Sequence, residues 1–436
     1  MLREFKKLMC ARFFFTLAST MQAVVVGWQI YKLTHNPLDL GLIGLTAAVP
    51  ALSVAMYAGY MVDRSRPLLI YKWVLCGSFL SAAVLFISQL AVLHWSISQQ
   101  IFGLFLSSFV VGGARGFSQP ALFSIVPKLV PREQLAHASA WTGSVMQVAR
   151  ISGPAVAGLV FGWFGIEFAS LLILISLSFA LVAVSMIALS KELMKIPTKE
   201  PGRSDIKRVI AELFSGAVFI FKDPILLPAM SLDMISVFFG GVTALLPIFA
   251  DDVLHIGSQG LGTLRAAPAL GAMILSFWLT RFDFGKRAGV LLFCAVAGFG
   301  FSIVVFALSH NFALSLVALV CSGACDSVSV VVRSSAVQLS SPDRLRGKIS
   351  AVNSMFIGSS NEIGEFESGV AASIMGTVPS AVFGGVMCLA TVLIVAWRAP
   401  FLRKLDLRAL AAKRFYETHL LEVLRLDLCN RMPHLP

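Results

Sequence analysis

The sequence predicts an all-α membrane protein of twelve transmembrane helices, arranged as two pseudo-symmetric six-helix bundles. Three observations carry this: scarce charge, a series of twelve apolar windows, and lysines and arginines that fall on one side of the series. Of 436 residues, 57% are hydrophobic and 13% charged, against about 25% charged in a soluble domain. So few charges cannot coat a water-exposed surface, whereas about 20 apolar residues in helix cross the hydrocarbon of a bilayer.

The apolar windows fall near residues 11–33, 38–62, 69–94, 97–126, 138–163, 166–189, 225–249, 258–280, 287–309, 312–340, 349–375 and 379–398. The first follows a basic start and ends without a small-residue cleavage site, so it reads as a retained helix rather than a signal peptide. The one long polar interruption, residues 191–222, is basic and holds Pro197 and Pro201. It implies an N-terminal bundle over 1–190, a linker over 191–224, a C-terminal bundle over 225–398 and a basic tail over 399–436.

Orientation follows from the basic residues. Thirty of the 35 lysines and arginines lie at the N-terminus, the tail, the linker and the even-to-odd connections, all on one side; Lys32 alone lies at the other face. Both termini and the linker are therefore expected in the cytoplasm, and the net charge of +12 is a topology signal, not the footprint of a nucleic-acid binder. A shift of 211 residues aligns Gly112 with Gly323 and Pro131 with Pro342. It also aligns Gly153, Gly158 and Gly165 with Gly364, Gly369 and Gly376, in phase with the topology. Two parallel six-helix repeats are the architecture of a rocking-bundle transporter.

Several stretches resemble the major facilitator superfamily, in particular its drug and siderophore exporter branch. Gly59-Tyr-Met-Val-Asp63-Arg64-Ser-Arg66 is similar to the superfamily's loop motif after the second helix, without its usual glycine and full basic cluster. Gly112-Gly-Ala-Arg-Gly-Phe-Ser-Gln-Pro120, Arg150-Ile-Ser-Gly-Pro154-Ala-Val-Ala-Gly158 and Ser360-Asn-Glu-Ile-Gly-Glu-Phe-Glu-Ser-Gly369 resemble the branch, as do Thr243-Ala-Leu-Leu-Pro-Ile-Phe-Ala250 and Pro342-Asp-Arg-Leu-Arg-Gly347. The resemblance implies the major facilitator fold and a conformational latch at Gly59, Asp63, Arg64 and Arg66. There the Asp63 carboxylate would meet the N-terminus of the eleventh helix. The alternative is a solvated loop whose arginines only set topology.

Nine ionisable residues lie well inside the predicted spans: Arg115, Arg150, Asp233, Arg265, Asp326, Arg333, Glu362, Glu365 and Glu367. A lone charge at mid-bilayer costs about 2.5–3.5 kcal/mol or more, so each needs a partner, a wet cavity or a neutral form. Five acids against four bases leave one surplus acid, a seat for a coupling proton. The five acids are the proton-coupling candidates, and Arg115, Arg150, Arg265 and Arg333 their charge partners. The resemblance implies that helices 1, 4, 7 and 10 line a central cavity, with Gln22, Trp28, Gln29 and Gln119 as substrate contacts and Phe13, Phe14 and Phe15 nearby. On that expectation Arg115 faces Asp326 across the pseudo-twofold axis. Gln147, Arg150, Arg265, Glu362 and Glu365 would form a gate between the halves, with Glu367 on another face of its helix. Fixed structural ion pairs are the alternative for both groups.

No nucleotide-binding motif occurs, and Cys321 and Cys325 have no histidine nearby, so neither cofactor nor metal is expected. No enzyme activity is expected. The function implied is secondary active transport, with proton-coupled export of a small amphipathic molecule (a siderophore, drug or secondary metabolite) by alternating access. The expected partners are substrate, protons and lipid. The expected setting is a monomer in a bacterial inner membrane, as a multi-pass antiporter for efflux. A lipid flippase and a non-transporting membrane sensor or scaffold are the alternatives. The tail is expected either as an interfacial helix on anionic lipid or as a frayed end.

Overall fold

The computed structural model describes residues 2–131, 134–187, 215, 217–279, 281, 285–342 and 345–412. Among these there is helix and no strand. Four long helices open the chain: α1 (Leu2–Thr34), α2 (Pro37–Arg64), α3 (Pro67–Ser88) and α4 (Ile97–Leu129). The helical run Leu135–Ser185 follows, broken at Gly165 into α5 (135–164) and α6 (166–185). The second half starts with α7, which runs Leu226–Phe239 and continues through 3-10 and π-helical turns to Val253. It is completed by α8 (Gly257–Leu279), α9 (Ala288–Leu308), α10 (Phe312–Ser340), α11 (Arg346–Met375) and α12 (Thr377–Arg398).

Local chemistry sets these boundaries. Asn36 accepts a bond from the Leu38 amide and Pro37 opens α2, the arrangement favoured at a helix start. Ser96 and Gln99 cap α4 reciprocally, and Asn311 caps α10. Among the described residues, ten helices are long and apolar enough to cross a membrane. Dividing one of these, which spans α5 and α6, and adding α11, whose glutamates and basic residues set it apart, gives the expected twelve. Large apolar side chains face outward, with Phe123 79% and Trp397 81% exposed, as a lipid-facing surface requires.

The repeat seen in the sequence is structural. Gly165 has φ +79° and Gly376 φ +90°, a region closed to most side chains, and each turns the chain between the last two helices of its half. Gly153 sits against Thr20 and Leu17 of α1, while its repeat mate Gly364 sits against Val237 and Phe238 of α7. The next pair joins the halves to each other. Gly158 of α5 meets Gly262 of α8, and Gly369 of α11 meets Gly41 of α2. An added Cβ at any of these four would come within 3.0 Å of the facing backbone, so the closeness depends on small residues. The two cross-half contacts lie toward the end of the bundle where α1, α5 and α11 finish.

The latch segment differs from expectation. α2 continues as helix through Arg64 and stops at Ser65, so Gly59, Asp63 and Arg64 belong to its last turns and not to a loop. The side chains of these three lie outside the described residues; Arg66 is exposed and provides no side-chain cap to α3. Residues 188–214 and 216, most of the expected linker, and the tail beyond 412 also lie outside the described residues.

Gly165→Ala should destabilise the protein by about 1–2 kcal/mol through left-handed backbone strain. Gly143→Ala, in a helix with no atom within 4 Å of the new methyl, should raise stability by up to about 1 kcal/mol. Thermal unfolding of both variants in one detergent checks the opposite signs.

Candidate functional site

Charged side chains inside an apolar bundle mark where work is done, provided they do not merely neutralise one another. The structure sorts eight of the nine into two populations. The first is sealed inside the second half. Asp233 on α7 and Arg333 on α10 pair at 2.5 Å, their side chains only 7% and 4% exposed. Ser329 donates a 2.9 Å hydrogen bond to the same carboxylate. Asp326 is half-buried and within Coulombic range of both. It does not face Arg115, as the repeat had implied.

The second population lies between the halves, and Arg115, Arg265, Glu362 and Glu365 of it line a cavity of about 220 Å³. Arg115 of α4 reaches Glu362 of α11 at 3.7 Å, with side chains 50% and 22% exposed. Arg265 of α8 points across to α1, donating to the Ala23 carbonyl at 3.3 Å; a Cβ on Gly27 would sit 3.5 Å from its guanidinium. Glu365 reaches from α11 to α2, where a Cβ on Gly44 would sit 3.3 Å from its carboxylate. Glycines on α1 and α2 thus leave notches in the first half that receive charged groups of the second. Arg150 of α5 stands within Coulombic range of Arg115, and Gln147 of α5 donates to the Ala269 carbonyl of α8 at 2.6 Å. Arg115, expected in a separate substrate cavity, therefore stands in one seam with the expected gate residues. Glu367 points elsewhere, beside Ser368.

The charge balance also differs from the expected surplus of acid. Around the seam stand three arginines (Arg115, Arg150, Arg265) and two glutamates (Glu362, Glu365), whereas the second half's interior holds two acids against Arg333. The excess acid lies in the second half's interior, while at the cavity itself Arg115 and Arg265 stand against Glu362 and Glu365.

Of the polar cavity candidates, Gln22 lines the cavity, its amide donating to Ser81 at 2.8 Å. Gln29 turns away to Gln89 at 3.1 Å. Trp28 is 4% exposed and packs edge-on against Phe161, so it belongs to the core. Phe14 stacks on Phe179 and Phe15 meets Tyr71. None of these aromatics lines the cavity, whose apolar wall is aliphatic: Val26, Leu40, Ile43, Val111. Gln119 is exposed and is not among the lining residues.

Sequence reading missed a second cross-half cluster. At the end of α1, Lys32 pairs with Asp251 at 2.8 Å and Tyr31 donates a short hydrogen bond to Asp252. The aspartates sit on the π-helical last turn of α7, Phe249–Val253. The Lys32 ammonium also lies 5.2 Å from the Trp28 ring. The signal was there: Lys32 is the lone base on its face, opposite two consecutive acids. Together with the cross-half glycine contacts, this cluster bridges the two halves at that end of the bundle.

Residues 8–365 match the family model described as Major Facilitator Superfamily. The enterobactin exporter EntS of Shigella boydii serotype 18 is 24% identical over 389 residues, covering 87% of this chain and 88% of its own length. EntS of Escherichia coli O1:K1 matches to the same extent. Among solved structures, a bacterial homologue of the iron transporter ferroportin in an inward-facing state superposes with TM-score 0.69 at 16% identity, over 92% of this chain and 99% of the other. A mutant of the nucleoside transporter NupG gives TM-score 0.66 at 11% identity over 92% and 99%.

The two populations should respond differently to truncation. Asp233→Ala leaves Arg333 buried without its anion and should cost about 3–5 kcal/mol, while Glu362→Ala, in a half-exposed pair, should cost no more than about 1 kcal/mol. Unfolding in mixed micelles at increasing dodecyl sulfate fraction measures both.

Proposed function

The chain belongs to the major facilitator superfamily, as a non-enzymatic, multi-pass membrane transport protein, and from that premise we propose that it exports a small amphipathic molecule in exchange for protons. The observation that carries this is the seam of ionisable side chains bridging the two halves inside one cavity. A static scaffold gains nothing from charges placed where the halves must separate. In an alternating-access cycle the same charges report to both halves whether the site is loaded.

The one-sided lysines and arginines support placing both termini in the cytoplasm and the Lys32 cluster outside, in a bacterial inner membrane. In that orientation the present state is closed to the outside. Export then requires the Lys32–Asp251 and Tyr31–Asp252 contacts to open while the basic end closes. Glu362 and Glu365 are the proton carriers of this scheme, since they contact the opposite half and border the cavity. The Asp233–Arg333 pair is structural, and Asp326 beside it is a reserve site. The similarity to enterobactin exporters makes enterobactin the first substrate to test, on a monomer.

Two experiments test the scheme. In proteoliposomes with an imposed pH difference, enterobactin should elicit proton flux in the wild type and none in the Glu362→Gln/Glu365→Gln variant. Equal flux in both would remove the glutamates from the coupling. Separately, Lys32→Ala should favour the outward-open state. A cysteine replacing cavity-lining Ala244 should then react several-fold faster with an impermeant maleimide added outside, each broken contact contributing about 1 kcal/mol to the shift.

A further inference from the structure

Whatever the transported molecule, we infer that the basic end of the second half carries a binding site for the headgroup of an anionic phospholipid. The site forms where the chain after α12 folds back onto the start of α9. Lysines and arginines at this end of the bundle are expected as topology signals. Topology alone does not gather them into one built corner, and three observations show that they are gathered.

The first is the fold-back. After α12 the chain makes a short helix, Pro400–Arg403, and returns to α9, where the Gly289 amide donates to the Leu405 carbonyl at 3.2 Å. A Cβ on Gly289 would lie 2.0 Å from the Leu402 carbonyl oxygen and 2.8 Å from that of Arg403. So close an approach of two backbones needs glycine. Leu402, Leu405 and Leu407 are buried in one apolar cluster with Leu279, Ala288 and Leu292. The contact sets Arg403 and Lys404 beside the turn that precedes α9, which carries Lys286 and Arg287. Arg398, the last residue of α12, adjoins them.

The second observation is that these charges are unspent. All five bases are exposed, and none is in an ion pair among the described residues. Asp406 is the one acid in residues 398–412. Its carboxylate accepts from the Arg408 and Ala409 amides at 2.8 and 3.2 Å and so opens the next helical turn.

The third is the surface that adjoins them. Trp397 and Phe401, which flank Arg398, are 81% and 69% exposed, and Leu393 and Ile394 continue the exposed apolar strip along α12. Aromatic side chains belong at the level of the headgroups, with aliphatic ones deeper in the bilayer. A soluble anion would use the bases alone. A phospholipid uses both surfaces, with its phosphate on the guanidinium and ammonium groups and its chains along the strip. Bridging Lys286 and Arg287 to Arg403 and Lys404, the phosphate clamps the fold-back to the turn before α9.

The test uses the full-length protein, stripped of lipid in a maltoside detergent and titrated with phosphatidylglycerol or phosphatidylcholine, with glycerol 3-phosphate as competitor. Native mass spectrometry counts the bound lipid. Phosphatidylglycerol should be held at least about tenfold more tightly than phosphatidylcholine, and glycerol 3-phosphate should not displace it. Each base at a charged lipid surface changes affinity by about fivefold. Lys286→Gln/Arg287→Gln and Arg403→Gln/Lys404→Gln should therefore each weaken phosphatidylglycerol by about tenfold or more. Arg3→Gln/Lys6→Gln removes the same charge from the exposed start of α1 and should leave binding unchanged. Gly289→Ala removes no charge but pushes the fold-back off α9, and should weaken binding several-fold. Equal retention of the two lipids, displacement by glycerol 3-phosphate, an equal loss in the α1 variant, or undiminished binding in Gly289→Ala would each overturn the site.

Discussion

A charge that leaves water for the interior of an apolar bundle must find compensation there, and this constraint organises the molecule. It is met in two ways. Asp233, Arg333 and Ser329 meet it within one half, in a sealed cluster that fixes α7 to α10. Arg115, Arg265, Glu362 and Glu365 meet it only by reaching the opposite half. The first solution holds a bundle together. The second ties the two halves to each other across the space between them.

Small residues make the second solution possible. The repeated glycines let α5 approach α8 and α2 approach α11 to backbone contact at one end, so that the two halves touch there and part around the cavity. Gly27 and Gly44 extend the same device inward, as recesses for Arg265 and Glu365. At the closed end, Lys32–Asp251 and Tyr31–Asp252 add polar contacts at its rim. Contacts that rest on small residues and half-exposed ion pairs carry little energy each.

The spans were legible because a bilayer imposes a simple length on apolar sequence, and the repeat because Gly153, Gly158 and Gly165 return in phase at Gly364, Gly369 and Gly376. What these glycines do was not legible: a matched pair in the alignment gives no sign that Gly165 and Gly376 have positive φ or that Gly158 meets Gly262. The nine ionisable residues were identified by their cost in lipid, yet their partners were not. Arg115 pairs with a residue in the other half of the chain, and no local spacing encodes that. The repeat suggested Asp326 as its mate, because a pseudo-twofold axis maps positions onto each other without making them touch. Gln22 and Gln29 share one face of α1 by their spacing, but the helix turns that face toward Ser81 and Gln89 of the first half. Periodicity gives a common face and not its direction, and the Trp28 ring packs into the core against Phe161.

The cross-half seam, on this account, sets which end of the bundle is closed. Distances between spin labels measure this directly, with one pair at positions 35 and 255 on the closed end and another at 66 and 287 on the basic end, in protein reconstituted into lipid. With Arg115→Gln and Glu362→Gln combined, the account predicts that the 35–255 distance lengthens while the 66–287 distance shortens. Both distances unchanged, or both moving in the same direction, would contradict it.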